Sequence, residues 1–365
     1  MGLSRDHELH LISLSEEVVA PASIEKLKNL TASLKIFRIS GSKALARAAK
    51  GILNLKPFQV NYFFSPKINK EIQTIIDEIS PDLIYCQLIR MAEYVVHRPE
   101  IKVLDFMDCF SMNYAKRQEF EHFFMKQVSK QESTRLSKYE AEVLDSFDEA
   151  IIISKRDAEE IDTDRKIHII SNGINTDYFA PIHSSPDCDI LFVGNMGYQP
   201  NVLAARFIAN EIVPLLNVNN YQIKIAGARP SLAVRRLAQG NIEITGWLPD
   251  IRSAYSSTRL FIAPIFSGAG QQNKILEAMA MELICITTSN VNEAIGATNG
   301  KHLLIADSAP DFAKLIAQVL SNEQDYINLR KEARNFVFDH FSWQKENKRL
   351  NDVIIKAGKE LRNEG

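Results

Sequence analysis

The sequence is poor in cysteine. It has four, Cys86, Cys109, Cys188 and Cys285, and no Cys-x-x-Cys. Scattered in this way they do not form a disulfide framework. Cys86, Cys188 and Cys285 lie in or beside apolar runs, which reads as small buried hydrophobes in a reducing cytoplasm. The eight histidines never fall at His-x-x-x-His or His-Glu-x-x-His spacing, so no metal is expected. No run of about 18 apolar residues occurs, and the N-terminus has no signal-peptide core. Charge of one sign is also missing. A formal net charge of −2 gives no general nucleic-acid signal. No short-period repeat or low-complexity segment is present.

What the chain does have is length and alternation. Its 365 residues suffice for two cores. A hydrophobic content of 45% and a charged content of 24% suit an ordinary globular protein. Strands are expected at Glu8 to Leu14, Leu34 to Ile39, Leu83 to Gln87, Lys102 to Phe106, Ala150 to Ser154 and Ile167 to Ser171, with helical patterns between them. Phe120 to Phe147 is a long charged helix. Its Lys126, Lys130, Arg135 and Lys138 would suit an anionic membrane surface, but interleaved acids favour a solvated face. After the turn at Asn172-Gly173 and a polar linker, the alternation starts again. The pattern predicts an α/β protein with two doubly wound parallel sheets. The domains are expected at 1–183 and 184–335, followed by a helical tail over 336–365.

The most informative stretch is Arg259 to Ser289, a strand–loop–helix–strand unit. Gly268 and Gly270 let backbone approach a ligand, and the following helix offers unpaired N–H groups and a partial positive charge. Together these suit a phosphate or diphosphate. Lys274 adds a full charge. Glu277, three residues on, shares its helix face and can accept two bonds from a ribose diol. Each feature alone is weak, since Gly-x-Gly is common and a Lys–Glu pair at this spacing is usually solvated.

The whole phrase, Gly-x-Gly-x-x-Asn-Lys-Ile-Leu-Glu-Ala-Met-Ala-Met behind a strand ending Ala-Pro, is more specific. It resembles the signature of retaining nucleotide-sugar glycosyltransferases with the GT-B fold. Within these it is most similar to a bacterial family-four branch that assembles surface polysaccharide or exopolysaccharide. The likeness is strongest from about Ser171 to Leu320. It implies two Rossmann-like domains facing a cleft, with a final helix crossing back to the first domain. The implied co-substrate is a nucleotide diphosphate sugar and the implied acceptor a glycan or lipid-linked sugar. No cofactor or metal is implied. The implied location is the cytoplasm, with peripheral contact at the inner face of the membrane.

Residue by residue, the resemblance implies that Glu277 binds the donor ribose and that Gly268, Ala269 and Gly270 contact the diphosphate or sugar. Lys274 joins them by position and charge. Thr245-Gly-Trp-Leu-Pro-Asp250 implies a base pocket at Gly246, Trp247 and Leu248. Four departures stand out. Ala269 occupies a position where many relatives have glutamate. Asn195 and Asn201 occupy positions where many have Arg and Lys, which leaves Lys274 as the main cation. Met107-Asp108 replaces a His-Asp-like pair, so Asp108 becomes the candidate catalytic group, with a helix N-cap as its bland alternative. Finally, Glu8 to Leu14 matches a second strand rather than a first, so a gap or bare edge is expected in the first sheet. Two rival functions follow: a truncated or degenerate homologue that only binds, and a GT-B-like nucleotide-sugar epimerase.

Overall fold

A computed structural model describes residues 2–118, 123–182, 184–216, 221–266 and 271–360. The chain forms two compact units, residues 1–171 with 347–365, and residues 172–346.

In the first unit, strands β1 (His10–Ser15) and β2 (Ser33–Arg38) flank helix α1 (Pro21–Lys28). Helices α2 (Gly41–Asn54), α3 (Phe58–Phe63) and α4 (Pro66–Ile79) follow. Next come β3 (Leu83–Gln87), β4 (Ile101–Asp105), α5 (Phe110–Arg117), α6 (Phe123–Leu144), β5 (Glu149–Ile152), α7 (Lys155–Glu159) and β6 (His168–Ile169). The strands make two parallel sheets. One is β1-β2, and the other has the order β3-β4-β5-β6. The core strand β4 reads Ile-Lys-Val-Leu-Asp and is buried from Lys102 on, as suits a parallel strand covered on both faces. Strand β1 has no buried residue.

Helix α6 corrects the expectation of a solvated face. Ser129, Glu132, Leu136, Tyr139, Glu140, Val143 and Leu144 are buried at helical spacing. Glu132 accepts the backbone N–H groups of Phe58 and Gln59, and Glu140 those of Phe110 and Ser111. These are the starts of α3 and α5, whose own N-cap residues, Pro57 and Cys109, supply no side-chain cap. Two of its acids, Glu132 and Glu140, are inward caps, while Glu142 stays exposed beside Lys138, so charge alone misplaced the face. Lys126, Lys130 and Lys138 remain exposed.

The second unit contains β7 (Cys188–Val193), α8 (Gln199–Phe207), β8 (Ile223–Ala226), α9 (Leu232–Arg235) and β9 (Ile242–Gly246). It continues with α10 (Arg252–Ser256), β10 (Thr258–Ala263), α11 (Asn273–Ala280), β11 (Ile284–Thr287), α12 (Ser289–Ile295), β12 (Leu304–Ile305), α13 (Ala309–Ser321) and α14 (Ile327–Phe341). Its single parallel sheet has the order β12-β11-β10-β7-β8-β9. Strands β7, β10 and β11 are apolar runs covered by helices, and α11 buries Ile275, Leu276, Ala278, Met279 and Ala280 against them. Ile275, Leu276 and Met279 each contribute roughly 1.5–3 kcal/mol of burial.

The tail is two helices. Ser342 is extended and pairs with Ile174, which ends α14 before α15 (Trp343–Glu360) begins. Phe341 is buried and Phe336 stacks on His302 at 4.6 Å, both in the second unit's core, while Phe338 and Trp343 are half-exposed. From residue 347 the last helix groups with the first unit. All four cysteines are buried and unpaired, as expected of small hydrophobes.

Candidate functional site

The second sheet reverses direction beside β7. The chain runs β7, β8, β9 to one side, returns to β10 on the other, and continues outward to β11 and β12. In an open α/β sheet, ligands bind beyond the carboxyl ends of the strands at such a reversal. Here that point lies between the loop after β7 and the loop after β10.

The loop after β7 is held by its own side chains. Asn195 Oδ1 accepts from Gly197 N at 3.0 Å, and Tyr198 N returns to Asn195 O at 3.0 Å. Gly194 N donates to Ala226 O and Met196 N to Ala228 O, which ties this loop to the one after β8. Gly227 permits that approach. A Cβ there would lie 1.8 Å from Gly194 O, and its φ is +141°. Gly227 N in turn donates to Gly246 O, so the carboxyl ends of β7, β8 and β9 are stitched together.

The loop after β10 is pinned at both ends. Thr288 Oγ1 donates to Ile265 O at 2.7 Å, and Gln271 Nε2 donates to Asn172 O at 2.6 Å. Gly268, Ala269 and Gly270 lie outside the described residues.

Beyond that loop, α11 presents Lys274 and Glu277. Lys274 Nζ donates to Asn201 Oδ1 at 2.5 Å and lies 5.4 Å from the Phe192 ring centre. Asn201 is 5% exposed, in the first turn of α8, and its Nδ2 donates to Asn195 O. The structure thus brings Asn195, Asn201 and Lys274 into one chain of bonds. Asn201 acts as the anchor of the cation. Burial pushes the Lys274 ammonium down to about 8, against the pull of Glu277. Glu277 is raised by burial, opposed first by a hydrogen bond from Tyr255 and then by Lys274. Tyr255 Oη donates to Glu277 Oε2 at 3.0 Å and to Lys274 O at 3.2 Å. Tyr255 is fully buried and fixes the carboxylate from below. No periodic or motif signal marks it in the sequence. Among the described residues, no hydrogen bond occupies Glu277 Oε1.

Gly246 ends the edge strand β9 and Trp247 and Leu248 follow it, two strands from β7, or about 10 Å away. Gly246 has φ +73°, Trp247 is 69% exposed, and Leu248 packs on the core. Gly246 O accepts from Gly227 N, which links it to the loops of the Lys274 cluster through backbone.

In the first unit, Asp108 lies just past β4, after Met107 at φ +62°. Burial pushes its carboxyl up to about 6, helped by the charges of Asp157 and Asp105. Asp157 is fully buried, and neither carboxylate oxygen has a hydrogen-bond partner among the described residues. Asp105 accepts from Tyr85 Oη at 2.7 Å and from Met107 N. Asp108 is no helix cap, because Glu140 takes the first N–H groups of α5. Among the described residues no group of His, Cys, Asp or Glu has the arrangement of a metal site. In Asp187-Cys188-Asp189, at the start of β7, the two carboxylates pair with Lys224 and Arg259.

Comparison with known proteins agrees with this architecture. Residues 187–322 match the family model described as Glycosyl transferases group 1. An "Uncharacterized 44.6 kDa protein in cps region" of Klebsiella pneumoniae is 27% identical over 217 residues. That alignment covers 55% of this chain and 54% of the relative, so the chain spans about half the length of the curated relative it matches. Among solved structures, sucrose-phosphate synthase from Thermosynechococcus elongatus has a TM-score of 0.64 at 14% identity, covering 80% of this chain and 77% of its own. Anabaena Alr3699/HepE in complex with UDP and glucose has a TM-score of 0.64 at 13% identity, covering 94% and 91%. A glycosyltransferase from Rickettsia africae ESF-5 has a TM-score of 0.62 at 16% identity, covering 95% and 89%. Identities this low speak for the fold alone. The chain has the α/β GT-B fold of two Rossmann-like units, and the part of its second unit over residues 187–322 is similar to the Glycosyl transferases group 1 family.

Proposed function

We propose that the protein transfers a sugar, a hexose in our reading, from a nucleotide diphosphate sugar to a glycan or lipid-linked acceptor with retention of configuration, in polysaccharide biosynthesis. The observation that carries this is the joint placement of Lys274 and Glu277 on α11 at the sheet reversal, one anchored by Asn201 and the other by Tyr255. Lys274 supplies charge for the leaving diphosphate, and Glu277 Oε1 is offered to a ribose hydroxyl. The UDP and glucose of the HepE complex, and the cps region of the Klebsiella relative, support that substrate class and pathway.

In the proposed step the bond from the anomeric carbon to the diphosphate oxygen breaks. The acceptor oxygen bonds to the same carbon on the same face, and its proton passes to the departing phosphate. The products are a nucleoside diphosphate and a glycoside. No metal or cofactor takes part in this reading. The first unit binds the acceptor, with Asp108 directed to an acceptor hydroxyl. No helix among the described residues is long and apolar enough to cross a membrane. Exposed Lys126, Lys130 and Lys138 on α6 suit peripheral contact with an anionic surface.

Calorimetry with UDP and GDP tests the donor side. Glu277→Gln should weaken the preferred nucleotide about tenfold to a hundredfold, with the melting temperature held. Unchanged affinity would remove Glu277 from the site. Incubating the chain with UDP- and GDP-sugars and an acceptor extract tests transfer. A free epimer in place of a glycoside would support the epimerase instead.

A further inference from the structure

We propose that Arg229 is a second cation of this nucleotide site, reaching the diphosphate across Gly197. The inference rests on the donor-site reading above and adds a residue to it.

Arg229 sits just past the carboxyl end of β8, between Gly227 and the start of α9. Its φ is +58°, in the left-handed region. Side chains with a Cβ rarely adopt that conformation, and Gly or Asn normally fills it. Pro230 follows directly, which restricts the backbone of Arg229 further. Nothing in the turn calls for an arginine. Among the described residues its guanidinium makes no hydrogen bond or ion pair. A strained residue whose side chain does nothing for its own turn is a reason to look for a function.

Its position supplies one. A Cβ built on Gly197 would lie 3.5 Å from Arg229 Cβ and 3.6 Å from its Cδ. The aliphatic stem of Arg229 therefore lies over Gly197, a residue of the β7 loop that has no side chain. The same loop is bonded to Asn201, through Asn195 O, and Asn201 holds Lys274. Arg229 and Lys274 are thus both tied to the loop Asn195–Tyr198 at the sheet reversal, Arg229 by its stem at Gly197 and Lys274 through Asn201 and Asn195. Asn195 of that loop and Asn201 of α8 carry no charge, so a lone Lys274 would face a diphosphate bearing two to three negative charges. A guanidinium offers planar paired donors that suit phosphate oxygens. It adds charge without needing a cationic side chain within the loop itself.

The test uses the full chain and calorimetry with UDP, GDP and uridine, with inorganic pyrophosphate as competitor. Arg229→Asn removes the charge and tolerates the left-handed backbone. It should weaken the preferred nucleoside diphosphate about tenfold or more and leave uridine binding unchanged. Its melting temperature should hold or rise, because strain is relieved. Arg229→Lys should recover part of the loss, and pyrophosphate should compete less well in the Asn variant. An Asn variant that binds the diphosphate as the parent does overturns the assignment and leaves the proposed function standing. A parent that binds no nucleoside diphosphate overturns both.

Discussion

The two units share one construction principle and differ at one place. In the second unit, the first strand, β7, hydrogen-bonds to β8 on one side and β10 on the other, so a single six-stranded sheet results. In the first unit, β1 pairs with β2 and β3 with β4, and no described strand joins the two pieces. Burial follows the pairing. Five of the six residues of β7 are buried, while β1 has none. A strand at the reversal therefore does two jobs. It makes one sheet of two halves, and its loop lines the sheet reversal where a ligand is proposed to bind. The second unit has both, in β7 and in Asn195 to Tyr198.

The sharpest way to break this comparison is native-state hydrogen exchange. A two-stranded sheet with no buried residue on one strand is marginal by itself. Amides of β1 and β2 should exchange on the order of a thousandfold faster than those of β7 and β10. Equal protection would mean that the divided sheet is no weaker than the continuous one.

A second difference lies in how helices begin. The second unit caps α9, α12 and α13 with their own Ser231, Thr288 and Ser308. The first unit caps α3 and α5 from a distance, through Glu132 and Glu140 of α6. Glu140→Ala would leave two N–H groups without their acceptor, at a cost of about 3 kcal/mol. Ser308→Ala should cost only about 1 kcal/mol. Chemical denaturation of both variants checks the ranking, and equal losses would show that the distant cap is no more than a local one.

Asp108 separates folding from function in the first unit. Its carboxyl is raised from the usual value of 3.8 to about 6. A group whose folded value is raised loses stability as pH climbs from its unfolded value through its folded one. Asp108→Asn removes that loss. The variant should match the parent near pH 4, gain between pH 4 and 6, and stay about 2 kcal/mol more stable above pH 6, after allowing for partial exposure. If Asp108 also meets the acceptor, transfer should fall while stability rises. A fall in both would make it a structural residue.

Much of this was legible in the sequence, and the exceptions have physical causes. The strands of the three sheets follow from short apolar runs between helical patterns, and β3 spans Leu83–Gln87 as expected. That Lys274 and Glu277 share one face of α11 was legible from their helical spacing. The inward face of α6 was not, since Glu132 and Glu140 look like solvated acids until their backbone partners are known. The break at Ser342 was hidden because the tail is helical on both sides of it. Tyr255 and the anchoring by Asn201 depend on contacts 22 and 73 residues apart, which no local pattern encodes. Arg229 was missed because a positive φ cannot be read from an arginine.

The smallest effect expected concerns the second unit's cation, and it returns the comparison to charge. Lys274 is pushed down to about 8 because it is largely buried, with Glu277 only partly offsetting that. At pH 7 it is mostly protonated, the form that attracts a diphosphate. As pH rises through 8 the free protein loses this proton, while a bound diphosphate favours keeping it. Affinity should therefore fall above pH 8, by at most about tenfold per pH unit. Binding near pH 8.5 should take up a fraction of a proton from the buffer. Calorimetry in two buffers of different ionisation enthalpy reads that uptake directly. Lys274→Gln should bind more weakly at pH 7 and lose the uptake. Nucleotide binding that is flat from pH 7 to 9.5, with no proton taken up, would mean that Lys274 faces its asparagine and not a phosphate.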